Sequence, residues 1–358
     1  MRLPVRTLSV LVAFTFSGPV FSDTVTVDAN GSGDYTTIQS AIDAVSEAST
    51  ILVAPGIYNE TIDLGTKNLV ISGIGKDVSK TVIDGSGLDS SVVRISGEQD
   101  SSTILKMLTI ANGVAGSRLP GNANILAGGG LLVIDSNPRI EFCRIIGNRS
   151  GFGGGAYLLR SESTIADCLF DDNFASADGG GLFVFNGATR ICRNNFFDNR
   201  AVNHGGAAKF VLGESYIHDC TMSENVAYQG GGIYWFANSR TKPLLVDESI
   251  ITLNHANKIG GGIKTRFGSP PIALFGVTVC DNTSDEINGP YIDLGDNAIC
   301  ICLGDLSGDG TVGGADLGVL LALWGTCNSP DCPADLNGDG TINGADLGLL
   351  LGLWGPCR

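Results

Sequence analysis

The stretch Phe170-Asp171-Asp172-Asn173-Phe174-Ala175-Ser176-Ala177-Asp178-Gly179-Gly180-Gly181-Leu182-Phe183-Val184 holds the signals that recur through the middle of the chain. Small-residue triplets occur at Gly128 to Gly130, Gly153 to Gly155, Gly179 to Gly181, Gly205 to Ala207, Gly230 to Gly232 and Gly260 to Gly262, at spacings of 25, 26, 26, 25 and 30. An asparagine column keeps step with them at Asn148, Asn173, Asn199, Asn225, Asn254 and Asn282. A period near 25 with short β-type runs and glycine turns is that of a solenoid, each repeat one coil of sheet stacked at about 4.8 Å on the last.

After each triplet the chain alternates. Leu131, Ala156, Leu182, Ala208, Ile233 and Ile263 form one column, and Val133, Leu158, Val184, Phe210, Trp235 and Thr265 form another two residues on. Both point to one face, the expected interior. Glycine serves turns that need positive φ, and asparagine tolerates them while its amide reaches its neighbour in the next coil. Cys143, Cys168 and Cys220 stand five residues before their asparagines, in register with Asn194 and Ser249. They read as stacked small interior side chains, with a disulfide as the other option.

The column between the two interior ones reads Leu132, Tyr157, Phe183, Lys209, Tyr234 and Lys264. Aromatics and cations in file on a sheet can stack on and hydrogen-bond a sugar chain, so Tyr157, Phe183, Lys209, Tyr234 and Lys264 are the candidate substrate-binding residues. A long loop over this face, such as Ala115 to Leu126, is the structural alternative. Asp178 and His204 stand three residues before the close of their triplets, one coil apart. A carboxylate beside an imidazole can orient it for general acid or base work, which makes this pair the catalytic candidate.

These columns resemble the right-handed parallel β-helix of the pectin-lyase-like superfamily. The beginning is similar too: Thr36-Thr37-Ile38-Gln39 opens a stretch with Ile38, Ala41, Ile42 and Val45 on one face, suited to cover the open end of a solenoid. The resemblance implies an all-β solenoid over residues 23–298 and, among fold-mates, polysaccharide lyases, methylesterases and glycoside hydrolases. Each implied activity is matched incompletely. Arg139 and Arg144 near Pro138 are in the wrong order for a pectate lyase, and the Gln-Asp-Thr and Asp-Phe-Ile-Phe-Gly segments of methylesterases are absent. Asp171-Asp172, Asn203-His204-Gly205 and Ile263-Lys264-Thr265 echo a polygalacturonase without its Asn-x-Asp motif. Phe170-Asp171-Asp172-Asn173 with Gly180-Gly181-Leu182 is also similar to the repeats of outer-membrane adhesins, which implies surface binding without chemistry.

The C-terminal stretch, residues 303–358, repeats at 30 residues and carries two 12-residue loops with oxygen-bearing residues at the positions calcium uses. The first offers Asp305, Ser307, Asp309, the Thr311 carbonyl and Asp316. The second offers Asp335, Asn337, Asp339, the Thr341 carbonyl, Asn343 and Asp346. Loop two reads as the better equipped, because Gly313 offers loop one no side-chain oxygen. Each loop runs into an amphipathic pattern, Leu317, Leu320, Leu321, Trp324 and Leu347, Leu350, Leu351, Trp354. This arrangement resembles a type I dockerin domain, a small α-helical module that implies calcium as cofactor and a cohesin-like domain as partner. The partner-contacting loop positions, Gly314-Ala315 and Gly344-Ala345, are atypical, and Lys and Arg are missing between Leu303 and Cys357. Cys302, Cys327, Cys332 and Cys357 follow the same interval and suit disulfides in unstated pairing, which leaves Cys300 without an evident role.

Residues 1–22 carry Arg2 and Arg6, an apolar run from Leu8 to Phe16 and small Ser22, the pattern of a cleaved secretory signal. A run that short does not span a membrane. With 37 acidic against 22 basic residues and a net charge of −15, the chain is unsuited to nucleic acid. The combined expectation is a secreted or cell-surface β-helix that binds extracellular polysaccharide and possesses either a lyase or glycosidase activity or, alternatively, a non-catalytic adhesin-like role.

Overall fold

Alternation after each glycine triplet sends every second side chain inward, and repetition of that pattern coil after coil builds one continuous core. The computed structural model describes residues 22–114, 117–119, 122–300, 303–307, 309, 311–327 and 332–356. Apart from Ser22, the expected signal segment lies outside these residues, as do Cys302, Gly310 and Cys357.

The central coils, from Arg139 to Thr265, visit four sheets in turn. One complete coil runs Thr164–Ala166, Leu169–Asp171, Phe174–Asp178 and Leu182–Gly187, in what we name the first, second, third and fourth sheets. They contain 11, 10, 7 and 9 strands respectively. Stacking is parallel and in register, as in Ile140↔Ile165↔Ile191↔Ile217↔Val246 of the first sheet. The antiparallel exception is Ser117–Leu119 against Asn122–Ala127 at the edge of the third sheet. Both expected interior columns are fully or almost fully buried, from Leu131 and Val133 through Phe210 and Trp235 to Ile263 and Thr265.

The glycine triplet does two separate jobs. Its first member has positive φ in all six coils, 61° to 69°, where a β-carbon is penalised. The second and third need close approach: a β-carbon on Gly180 would stand 2.4 Å from the Gly206 carbonyl oxygen of the next coil. The asparagine ladder closes the turn at the other end of the third-sheet strands, against the third triplet residue. Asn173 donates from Nδ2 to Ile145 O at 2.8 Å and to Asn199 Oδ1 at 2.9 Å, and the pattern repeats through Asn282. Cys143, Cys168 and Cys220 are free, buried thiols, and the Cys143 amide donates to Cys168 Sγ at 3.4 Å. They are rungs of a small-residue stack.

Helix α1, Ile38–Ala44, buries Ile38, Ala41 and Ile42 against the first coils. Its start is capped by the Glu60 carboxylate, which accepts from the Ile38 and Gln39 amides, and its end by Lys67, which donates to the carbonyls of Ile42, Asp43 and Val45. At the other end of the solenoid Cys300 is paired with Cys280, so the cysteine without an evident role ties the last strand of the second sheet to its neighbour.

The C-terminal stretch has its own core of Val312, Leu320, Ala334, Leu336, Ile342 and Leu350. Helices α2, Gly314–Ala322, and α3, Gly344–Gly352, are related by the repeat, and Cys327 is bonded to Cys332 between them. Only part of the expected apolar face is used. Leu320 and Leu350 are buried, whereas Leu321 and Leu351, on the outer side of the helices, and Trp324 and Trp354, beyond the helix ends, are about half exposed.

Candidate functional site

The candidate pair comes together. Asp178 ends its strand in the third sheet and His204 lies one coil on, bridged to it in parallel register. His204 Nδ1 is 2.7 Å from Asp178 Oδ1, and Lys209 Nζ donates to Asp178 Oδ2 at 2.8 Å. The His204 ring lies 4.4 Å from that of Tyr234, and Lys209 sits over the rings of Phe183 and Tyr234. Burial pushes the Asp178 carboxyl up, but the bonds from His204 and Lys209 and their charges outweigh it, leaving the group below its usual range. Burial likewise pulls the Lys209 ammonium down, against the attraction of Asp178.

The candidate sugar platform is not an open surface. Tyr157, Phe183, Lys209 and Tyr234 are each 7 % exposed or less, and Lys264 is half-buried against Asn288. The third sheet explains this. Its ladder Ala127, Phe152, Asp178, His204 folds over the outer face of the fourth sheet, and Ala127 and Phe152 pack with Tyr157 and Phe183 into a second apolar layer. Among the described residues the cover comes from the repeat itself; most of Ala115 to Leu126, the loop named as the alternative, has no described side chains. The polygalacturonase echo separates as well, since Asp171 lies in the second sheet, with Asp172 just after it, and His204 lies on the ladder of the third.

A polar cluster lies on the outer face of the first sheet, at residues that the sequence reading did not name. His218 Nδ1 is 2.8 Å from Asp247 Oδ1, and Tyr216 donates its hydroxyl to Asp247 Oδ2 at 2.6 Å. The Tyr216 and His218 rings are nearly parallel, with centroids 5.9 Å apart. Burial, with the hydrogen bond to Asp247 and its charge, pushes the Tyr216 phenol up to about 12. Beside the cluster is a cleft of about 730 Å³ lined by Glu162, Arg190, Glu214, Tyr216, Lys242 and Leu245, among others. Lys242 pairs with Glu214 at its rim, while the Arg190 guanidinium makes no side-chain hydrogen bond or salt bridge among the described residues. Carrying the coil period from the glycines to this column would have aligned Cys192, His218 and Asp247, which are register partners.

In the C-terminal stretch, carboxylate oxygens of Asp305, Asp309 and Asp316 lie within 4.8 Å of one another. Asp316 is buried and accepts from the Ser307 amide at 2.8 Å and the Gly313 amide at 2.7 Å, and Asp346 accepts likewise from Asn337 and Asn343. Among the described residues the loop-two acids do not converge in this way. Asp335 accepts from the Asp339 and Gly340 amides, the Asn337 side chain donates to Asp339, and the Asn343 side chain reaches the Thr341 carbonyl. In loop one the Thr311 hydroxyl donates to Asp309, and Ser307 donates to Asp305. Clustered carboxylate oxygens are a donor set for a hard divalent cation.

Residues 68–225 match the family model described as the right handed beta helix region, and the coils they form are a right-handed parallel β-helix. A probable pectinesterase/pectinesterase inhibitor 17 of Arabidopsis thaliana is 39 % identical over 66 residues, 18 % of this chain and 12 % of that protein. A pectinesterase/pectinesterase inhibitor of Ficus pumila var. awkeotsang is 37 % identical over 86 residues, 21 % of this chain and 16 % of that one. The chain thus spans less than a fifth of the length of the curated relatives it matches. Among solved structures, the pectin methylesterase from carrot has 17 % identity and a TM-score of 0.40, covering 74 % of this chain and 84 % of that one. The pectin methylesterase PemA from Erwinia chrysanthemi has 14 % identity and a TM-score of 0.38, covering 78 % and 82 %.

Proposed function

We propose that this chain is a secreted polysaccharide-binding β-helix protein that modifies its glycan, held in an extracellular assembly by a calcium-dependent C-terminal module of the dockerin type. The observation that carries the glycan reading is the cleft on the first sheet. It offers an unpaired guanidinium from Arg190, the ring of Tyr216 fixed in place by Asp247, and apolar floor from Leu245 and Ala273. A sugar ring presents an apolar CH face to an aromatic side chain and hydroxyl or carboxylate groups to arginine, so these residues suit one. The site therefore lies one sheet away from the buried aromatic column. Asp178 and His204 form a second polar centre, in which the bond to Asp178 on Nδ1 leaves the far nitrogen of His204 to serve as a base.

Calcium fits the oxygen donors of loop one, Asp305, Ser307, Asp309, the Thr311 carbonyl and Asp316, and would tie that loop to the start of α2. Loop two, Asp335, Asn337, Asp339, the Thr341 carbonyl, Asn343 and Asp346, is the second proposed site. The exposed Leu321, Trp324, Leu351 and Trp354 offer an apolar surface for a cohesin-like partner in place of the usual loop contacts. Export is read from the N-terminal pattern, and among the described residues no helix is long and apolar enough to cross a membrane.

Binding of the full chain to a polysaccharide panel, including acidic glycans, tests this reading. Binding lost in Arg190→Ala and Tyr216→Ala, with turnover detected in the unaltered protein, is the expected result. Binding with no turnover on any glycan favours the adhesin-like role, and no binding at all removes the glycan reading.

A further inference from the structure

We propose that Cys192, His218 and Asp247 form a thiol-dependent acyl-transfer site that removes a small O-acyl ester from a glycan held in the adjoining cleft. The substrate class rests on the glycan reading above; the nucleophile rests on its own geometry.

The three residues occupy one outward column on successive strands of the first sheet, Arg190–Cys192, Tyr216–His218 and Leu245–Asp247. Cys192 pairs with His218 and His218 with Asp247 in parallel register, so the three side chains leave the sheet side by side at the strand spacing of about 4.8 Å. Asp247 engages Nδ1 of His218, which turns the other ring nitrogen away from the carboxylate, and the Tyr216 hydroxyl holds the second carboxylate oxygen. The base is therefore oriented by a third group, as a nucleophile–base pair requires. His218 keeps about a third of its side chain exposed, enough for a substrate to reach it.

Cys192 differs from the other free thiols. Cys143, Cys168 and Cys220 are buried rungs of the interior stack, whereas Cys192 is partly exposed on the outer face. Burial raises its thiol, with the guanidinium groups of Arg193 and Arg190 opposing, so it needs a neighbouring base to become a nucleophile. Arg190, two residues back on the same strand and face, is the unpaired cation placed to meet a developing oxyanion.

The step balances without any further reagent than water. The thiol proton passes to the free nitrogen of His218 as sulfur bonds to the ester carbonyl carbon. The carbon–oxygen bond to the sugar breaks, and the alkoxide leaves as a hydroxyl with that proton. Water, deprotonated by the same imidazole, then hydrolyses the thioester and returns the carboxylic acid and the thiol. A small O-acyl group is favoured over a uronate ester. The Cys192 thiol is only partly exposed, flanked by the side chains of the next strand, which suits a short acyl chain better than a polymer-linked uronyl group.

p-Nitrophenyl acetate, with peptide mapping by mass spectrometry, tests this on the full chain. The expected result is an acetyl adduct on Cys192 that forms about 10²-fold more slowly or worse in His218→Asn, with no burst of p-nitrophenolate from Cys192→Ala. Asp247→Asn should slow acylation and shift its pH profile, which a purely structural role would not do. No adduct on Cys192, or equal acylation rates in the unaltered protein and both His218→Asn and Asp247→Asn, overturns the proposal. Glycan binding by the unaltered protein is read separately. Binding without acylation removes the thiol chemistry alone, and acylation without binding removes the glycan alone.

Discussion

Removing one rung of the asparagine ladder should cost far more than an ordinary polar-to-alanine change. Asn199 is fully buried and makes four side-chain bonds: Nδ2 to Phe170 O and to Asn225 Oδ1, and Oδ1 from the Asn173 amide and from Asn173 Nδ2. In Asn199→Ala, Asn173 Nδ2 keeps Ile145 O and Asn225 Oδ1 keeps the Asn199 amide, so those groups lose only part of their pairing. The Asn173 N–H loses its side-chain acceptor altogether. One orphaned buried donor at about 1 to 3 kcal/mol, added to partial losses of about 0.5 to 1.5 kcal/mol each, gives roughly 3 to 5 kcal/mol. Guanidinium denaturation followed by far-ultraviolet circular dichroism measures the total, and hydrogen exchange locates it. Because a solenoid couples nearest neighbours, faster exchange should be confined to the coils of Asn173, Asn199 and Asn225. Asn199→Asp gives a complementary check. It retains the acceptor but faces Phe170 O and Asn225 Oδ1 with a carboxylate, so its stability should rise as pH falls and the group regains a donating proton. A loss below about 1 kcal/mol in Asn199→Ala, or exchange that quickens uniformly along the chain, would refute the ladder argument.

Lys209→Met leaves the buried Asp178 carboxylate with His204 as its remaining side-chain partner and should destabilise by less than the roughly 3 to 5 kcal/mol of a fully broken buried pair, with the double change Asp178→Asn/Lys209→Met recovering much of the loss in a thermal-melt cycle. The Asp178 carboxyl is held below its unfolded value, so its contribution is present above that value and is lost as pH falls through the folded one; acid melts of Asp178→Asn should lack that step. Cys280→Ser opens a cross-link spanning 20 residues and should cost about 3 kcal/mol, read as a lower denaturation midpoint under oxidising conditions and no difference under reducing ones. The Tyr216 phenol should titrate spectroscopically at about 12, and lower in Asp247→Asn; the stability it lends is whole below 10 and lost as pH rises through about 12. Calorimetric titration with calcium should show binding that Asp309→Ala weakens at loop one and Asp335→Ala weakens at loop two; heat unaffected by either change would refute both sites.

The interior was legible because a solenoid repeats it: Leu182, Ala208 and Ile233 say the same thing coil after coil, and one misread residue changes nothing. The outer columns enjoy no such redundancy, and two physical features obscured them. First, alternation was read as inside against solvent, whereas the third sheet folds back on the fourth, so Tyr157 and Phe183 are outward and still buried beneath Ala127 and Phe152. The signal was present in Leu159 and Val211, apolar residues where open surface would be polar, but the partner layer could not be inferred from one strand. Second, the turn between the first and second sheets is made by non-glycine residues with positive φ, Asp167, Arg193, Asp219 and Glu248. These carry no common residue type, so the register of the strands ahead of the turn rests on the small-residue column of Cys168, Asn194, Cys220 and Ser249 just after it. Without that register carried back across the turn, Cys192, His218 and Asp247 stood 26 and 29 residues apart as unrelated polar residues. The glycine and asparagine ladders thus fix the coil, while the proposed chemistry lies on the face whose corner residues share no single type. In the C-terminal loops the reverse holds. Spacing alone names the candidate donors there, and what the fold adds is their packing, with Asp316 and Asp346 buried as caps of α2 and α3 before any cation is considered.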